Sequence, residues 1–143
     1  MTVTVRTADY RADHAAIRGI RFAVFVDEQH VPAELELDER DPECVHVLAF
    51  VGDEPVGTGR VDLAAGGKIG RVAVLAAHRK RGVGRAVMRV LEGIARDASL
   101  PSVWCNAQVE ALPFYERLGY RVASGVFLEA GIEHRRMERA LER

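Results

Sequence analysis

The sequence predicts a mixed α/β (α+β) fold, one domain over residues 1–143, with a central sheet of about six to seven strands and about four helices. Three observations carry that prediction. Apolar, strand-length runs separated by Gly- and Pro-containing turns fill residues 45–75, which implies neighbouring antiparallel strands. Residues 83–98 repeat apolar side chains at helical spacing, and Val103 to Ala107 returns to strand character. A strand that follows a crossover helix runs parallel to the strand before it, with a right-handed connection.

The elements follow in order. Val3 and Val5 alternate with polar residues from Thr2 to Arg6, the period of a half-buried strand. Asp9 to Asp13 offers N-cap candidates, and Ala16, Ile17, Ile20, Val24 and Phe25 carry a helix to about Val26. Pro32 interrupts, and an acidic run from Glu34 to Glu43 follows, offset within itself by Arg40 alone. Val45 to Val51 and Val56 to Leu63 form a hairpin across Gly52-Asp-Glu-Pro55, and Ala64 to Gly67 turns the chain into a strand from Lys68 to Leu75. After the helix and the strand at 103–107, a further helix covers roughly Val109 to Leu118 and ends at Gly119. Tyr120 to Leu128 and Ile132 to Met137 close the chain as a strand pair.

A net charge of −1 argues against a general nucleic-acid binder, which would show a broad basic face. Basic residues concentrate at 79–89 and at Arg135, Arg136, Arg139 and Arg143; the second group is interleaved with Glu138 and Glu142 and reads as a self-compensating surface. No stretch approaches the apolar length that spans a bilayer, and Met1 to Arg6 lacks the basic and apolar regions of a secretory signal. Two cysteines, Cys44 and Cys105, form no CxxC pair, so a reduced, cytoplasmic setting without a metal site is expected, with Cys105 a packed thiol.

The junction between the strand at 68–75 and the next helix carries the chemistry. Arg79-Lys80-Arg81-Gly82-Val83-Gly84-Arg85 places four cations and two glycines at a helix N-terminus. The first turn of a helix leaves backbone N–H groups unpaired and adds partial positive charge, which suits a phosphate. Glycine lets the backbone approach a bulky diphosphate, and arginine can engage it through two N–H groups. A solvated basic loop that merely caps a helix is the competing reading.

This loop resembles the Gln/Arg-x-x-Gly-x-Gly/Ala signature of the GCN5-related N-acetyltransferases (GNAT). Gln108-Val-Glu-Ala111-Leu-Pro-Phe114-Tyr115-Glu-Arg-Leu118-Gly119-Tyr120 is similar to the same family's later block. The order of elements is also that of the GNAT fold. Arg21 to Gln29, Glu36 to Asp41, His46, Gly57 to Arg60 and Phe127 to His134 resemble the small GNAT proteins of the ElaA and YjcF type.

The resemblance implies a sheet splayed into a V-shaped cleft and acetyl-coenzyme A as cosubstrate, with no metal. Val72, Ala73 and Val74 would offer backbone hydrogen bonds to pantetheine; Arg79 to Arg85 would hold the pyrophosphate; Asn106, Gln108 and Phe114 would complete the cofactor site. Tyr115 would donate a proton to the departing thiolate, as a phenol can. Arg21, Gln29, Asp38, Arg60, Arg71 and His134 are the expected acceptor-binding residues. An Arg–Asp network that only fixes the loop after the first helix is the alternative for Arg21, Arg60, Asp38 and Asp41.

The strand from Lys68 to Leu75 contains no acid where several relatives carry a glutamate, so the base must come from elsewhere: Glu28, Asp41, His46, Asp38 or His134. The expected activity is transfer of an acetyl group by direct attack of a primary amine on a small molecule or peptide. A non-catalytic acyl-coenzyme A sensor and an acyl-homoserine-lactone-synthase-like enzyme, which the Arg…Glu-x-Asp-x-x-Asp…Arg layout also resembles, are the alternatives. Neither nucleic acid nor membrane is an expected partner, and a homodimer is one assembly open to the chain.

Overall fold

The computed structural model describes residues 2–142, so Arg143 of the expected basic C-terminal cluster lies outside the described residues. An eight-stranded mixed sheet runs in the order β1 (Val3–Ala8), β2 (Val45–Val51), β3 (Glu54–Asp62), β4 (Lys68–Val74), β5 (Ser102–Gln108), β8 (Ile132–Ala140) and β6 (Arg121–Val122), with β7 (Phe127–Glu129) also paired to β8. β1 to β4 are antiparallel neighbours, as the turn signals predict. β4 and β5 are parallel and share a single register pair, Lys68 opposite Trp104. Beyond it they part, and the splayed cleft opens between them.

Each face of the sheet buries its own layer. Helix α3 (Val83–Asp97) presses Val83, Val87, Met88, Leu91 and Ala95 onto Val47, Val56, Ile69, Val103 and Met137. Helix α1 (His14–Arg21) packs Ile17 and Ile20, with Val24 just beyond it, against Leu48 and Ala73 on the opposite face. Val47 and Leu48 serve opposite layers because successive strand side chains alternate. Each fully buried Val, Leu or Ile contributes about 1.5–3 kcal/mol through apolar burial.

Two expectations change. The first helix does not continue regularly to Val26: after Arg21 the chain widens into a π-helix from Phe22 to Glu28. The wider turn keeps Val24 in the core while Phe25 reaches the cleft, and π turns often mark functional sites. The expected strand from Tyr120 to Leu128 is broken into β6 and β7, which raises the strand total to eight. Ser124 causes the break: its Oγ accepts from the Arg136 N–H at 2.8 Å and donates to Gly125 O, replacing ladder bonds with side-chain bonds. Helix α4 (Leu112–Arg117) follows a 3₁₀ turn at Val109–Ala111 and stands over the cleft. A four-residue helix, α2 (Ala33–Glu36), leads into the acidic run.

Candidate active site

The parting of β4 from β5 leaves a cavity of about 760 Å³. Its β4 wall contains Gly70, Arg71 and Val72, and its β5 wall contains Trp104, Cys105, Asn106 and Gln108. Trp104, Asn106 and Gln108 share one face of β5 by strand alternation, and register pairing sets His134 of β8 directly opposite Gln108. β7 and β8 are joined by Ala130 and Gly131, both with positive φ, a tight turn that brings Glu129 onto the same wall and sets Phe127 opposite His134.

Tyr115 lines this cavity from α4, with its ring edge-on to Phe114 at 5.0 Å and to Tyr120 at 5.7 Å between centroids. Burial, followed by the neighbouring Cys105, pushes its phenol above the ordinary value, so it stays protonated at neutral pH. The Cys105 thiol is itself pushed up to about 12 by burial and Cys44 to about 11, also mainly by burial; both are free thiols. Neither has thiolate character, as the packed-thiol expectation for Cys105 requires.

The phosphate-loop residues follow the C-terminal end of β4 and lead into α3. Gly82 caps α3 with φ +83 and open space where a Cβ would stand. Gly84 lies against Phe114, whose ring carbon would sit 3.2 Å from a Cβ there, so the absence of a side chain lets α3 and α4 close together. Arg79, Lys80, Arg81 and Arg85 are exposed around this point, whereas Val83 turns into the core. Arg79 donates to both carboxylate oxygens of Glu28 at 2.7 and 2.8 Å, and its Nε donates to Val74 O at 2.9 Å. Ala73 is buried and Val72 and Val74 half-buried, while β4 beyond Lys68 has no ladder partner on its β5 side. Gln108 Nε2 donates to Gln29 Oε1 at 2.8 Å across the cleft.

The expected acceptor residues divide into two groups. Gln29, Asp38, Arg60, Arg71 and His134 line the cavity; Arg21 does not. Arg21 is 1% exposed, donates to Asp41 at 2.8 and 3.2 Å, and also binds the Glu36 carboxylate and carbonyl. Arg60 binds both oxygens of Asp38 at 2.9 Å and also reaches Asp41. Arg71 sits at a bulge in β4 with φ +52 and donates to the carbonyls of Leu35 and Glu36 and to Asp38 at 3.2 Å. Burial and the adjacent Arg60 and Arg21 lower its pKa, a sign of crowded positive charge. The acidic run is therefore balanced by arginines from α1, β3 and β4, and the Arg–Asp network anticipated for this loop is present.

Three residues expected as bases do not line the cavity. Glu28 is paired with Arg79 at the surface. Asp41 is wholly buried; burial raises its pKa, but the bonds and charge of Arg21, the Asp38 N–H and Arg60 outweigh this and hold it at about 2. A carboxylate so committed is a poor proton acceptor. His46 is buried with Nε2 2.7 Å from Asp41 O and its ring stacked on Tyr10; burial lowers its pKa. His134 and Asp38 are the two base candidates that reach the cavity, and Asp38 is held by Arg60 and Arg71.

The cavity also contains residues that the sequence reading did not single out: Glu129, Trp104, Lys68, Glu36 and the Arg40–Asp62 pair. The i, i+2 spacing of Trp104 with Asn106 and Gln108 was the available signal for one of them. Trp104 is flanked by Lys68 at 5.3 Å and Arg136 at 4.0 Å from its ring centre. Arg40 and Asp62 meet only through tertiary pairing. Among the described residues no helix is long and apolar enough to cross a membrane, and no cluster of ligating side chains suits a metal.

Known proteins share both the sequence pattern and this architecture. The family described as the Acetyltransferase (GNAT) domain matches residues 7–141. The uncharacterized N-acetyltransferase YjcF of Bacillus subtilis strain 168 is 47% identical over 120 residues, covering 82% of this chain and 86% of that protein. The crystal structure of Escherichia coli ElaA superposes with a TM-score of 0.84 at 28% identity, over 96% of this chain and 99% of that one. An acyl-CoA N-acyltransferase from Pseudomonas aeruginosa gives 0.85 at 27% identity, over 97% and 100%. An aminoglycoside 6′-N-acetyltransferase complexed with coenzyme A shares the fold at 16% identity and TM-score 0.75, over 98% of both chains. With the parted strands, the glycine-capped α3 and the cleft-facing Tyr115, these matches assign the chain to the GNAT acetyltransferases, as an acyltransferase of the ElaA/YjcF-like branch.

Proposed function

We propose that the protein transfers the acetyl group of acetyl-coenzyme A to the primary amine of a small molecule or peptide by direct attack. The observation that carries this reading is the cavity beside the unpaired edge of β4, which reaches Tyr115; β4 leads on into the cationic start of α3, which in this reading is the mouth of the cleft. The fit is physical. A diphosphate suits the amides after Gly82 and the exposed Arg79, Lys80, Arg81 and Arg85. Backbone groups of Val72 and Val74 on the free side of β4 suit pantetheine amides, with Asn106 and Gln108 on the facing strand, although Val74 O now accepts from Arg79; Ala73, by strand alternation, turns its backbone groups toward β3 instead. Phe114 packs on Gly84 and supports this turn from below.

Tyr115 supplies the acid. A phenol is neutral at pH 7 and burial only pushes its pKa further up, so it enters the reaction carrying the proton that a departing thiolate needs. Thiol release from acetyl-coenzyme A, followed across a panel of primary amines and compared with calorimetric binding of coenzyme A, tests the reading. Tyr115→Phe is expected to lower turnover by roughly 100-fold, within the range of general acid catalysis, with coenzyme A affinity unchanged. Unchanged turnover removes Tyr115 from the mechanism, and failure to bind coenzyme A removes the activity itself.

A further inference from the structure

We propose that His134 is the proton acceptor for the incoming amine, with Glu129 as the group that receives its charge. The inference rests on the acetyl-transfer reading above and adds the residue that sequence patterns leave undefined.

Hydrogen bonding settles which nitrogen is available. His134 Nδ1 lies 2.7 Å from Ile132 O, and a carbonyl can only accept, so Nδ1 carries the proton. The lone pair of the neutral ring is then on Nε2. That atom is 3.7 Å from Glu129 Oε2, beyond hydrogen-bond length, so the lone pair is not committed to a donor there. Glu129 is in turn positioned by Asn106, whose Nδ2 donates to Oε1 at 3.3 Å. Phe127 stacks on the imidazole at 6.0 Å between centroids and an interplanar angle of 22°, which fixes the ring plane.

The surroundings suit a base. His134 and Tyr115 line the same cavity from different elements, β8 and α4, so a reacting centre between them has an acceptor and a donor. Glu129 faces the ring from β7, Arg136 lies two residues along β8, and Tyr115 and Cys105 line the same cavity. The Arg136 guanidinium is drawn off toward Glu138, to which its Nε donates at 3.0 Å. Glu129 is itself partly exposed, which opens a route for the proton to solvent.

The step balances. An alkylammonium gives one proton to His134 Nε2, and the freed amine forms the C–N bond at the thioester carbonyl. The C–S bond breaks, the thiolate takes the Tyr115 proton, and the second nitrogen proton restores the phenol. One proton per turnover leaves through His134.

Two measurements test this. In ¹⁵N–¹H long-range spectra of the wild-type protein, the signal lost in His134→Gln should show the Nδ1–H tautomer; an Nε2–H tautomer overturns the proposal. In thiol-release assays at pH 7, His134→Gln should lose about 100-fold with n-butylamine, which must be deprotonated. It should lose under about threefold with methoxyamine, which is already neutral at that pH. Equal losses with both amines indicate a structural role and overturn the proposal, as does unchanged turnover. Coenzyme A binding by His134→Gln should match wild type; absence of binding by the wild type would instead defeat the acetyl-transfer reading.

Discussion

At the mouth of the cleft, Arg79, Lys80, Arg81 and Arg85 come from one short loop and remain exposed. Beneath its acceptor end, Arg21, Arg60 and Arg71 come from α1, β3 and β4 and are wholly or largely withdrawn from water against Glu36, Asp38 and Asp41. Both regions are dense in guanidinium groups, yet they differ in what those groups are free to do. The mouth keeps its charge solvated, which costs little and leaves it ready for an anion. The inner network spends its charge on itself, since a buried ion needs a partner to offset desolvation. What separates the two regions is how far their guanidinium groups are withdrawn from water.

The largest expected effect comes from breaking the inner network. Asp41→Asn leaves buried Arg21 and Arg60 short of a carboxylate, and breaking a buried pair costs roughly 3–5 kcal/mol. Against a typical total of about 5–15 kcal/mol, urea denaturation should show a midpoint lowered by a large fraction. The same carboxylate sets an acid limit. Its folded pKa of about 2 lies below the ordinary unfolded value, so its stabilising contribution is full above about pH 4 and is lost as pH falls toward 2. Wild-type protein should lose stability through that window, and Asp41→Asn should lose less there. A flat difference between the two curves would mean that Asp41 is not the titrating group.

The mouth should respond in the opposite way. Arg79→Ala should raise KM for acetyl-coenzyme A about tenfold, the loss of one charged hydrogen-bonding group, with kcat held. Its pairing with Glu28 is solvent-exposed, so the urea midpoint should move by less than about 1 kcal/mol equivalent. A large stability loss here, or none at Asp41, would erase the contrast between the two regions.

That contrast also explains what the sequence revealed. The loop at 79–85 is contiguous, so its cations and glycines are visible together, and the strands and helices around it follow from local periodicity. Tyr115 and Gln108 are legible through the same contiguous block. The inner network is legible only in part: Arg21, Arg60, Asp38 and Asp41 suggest an Arg–Asp network, but the shares of Glu36 and Arg71 emerge only when α1, α2 and β4 meet. Asp41 and His46 look like bases in the sequence because a carboxylate and an imidazole advertise chemistry that burial then removes. Glu129 lies in the Phe127 to His134 block that resembles the ElaA and YjcF type, but its place beside His134 depends on the hairpin at Ala130–Gly131. The π-helix escaped notice for a related reason, since the apolar pattern at Val24 and Phe25 fits a regular helix equally well.

The smallest expected effect lies at the end of the π-helix. Glu28 and Gln29 are consecutive at the end of the π-helix, and they hold Arg79 and Gln108, two of the side chains proposed to hold coenzyme A. A ligand that recruits Arg79 and Gln108 must first part them from these neighbours. If Glu28 competes with the pyrophosphate, Glu28→Gln should tighten coenzyme A binding two- to threefold, about 0.5 kcal/mol, as expected for an exposed ion pair. The gain should shrink as salt rises, because salt screens the competing pair. Gln29→Ala should act similarly through Gln108 but without salt dependence, since both partners are neutral. Calorimetry of the two single variants and the double at two salt concentrations separates these terms. Weaker binding by Glu28→Gln would reverse the assignment and make Glu28 the residue that aims Arg79 at the phosphate.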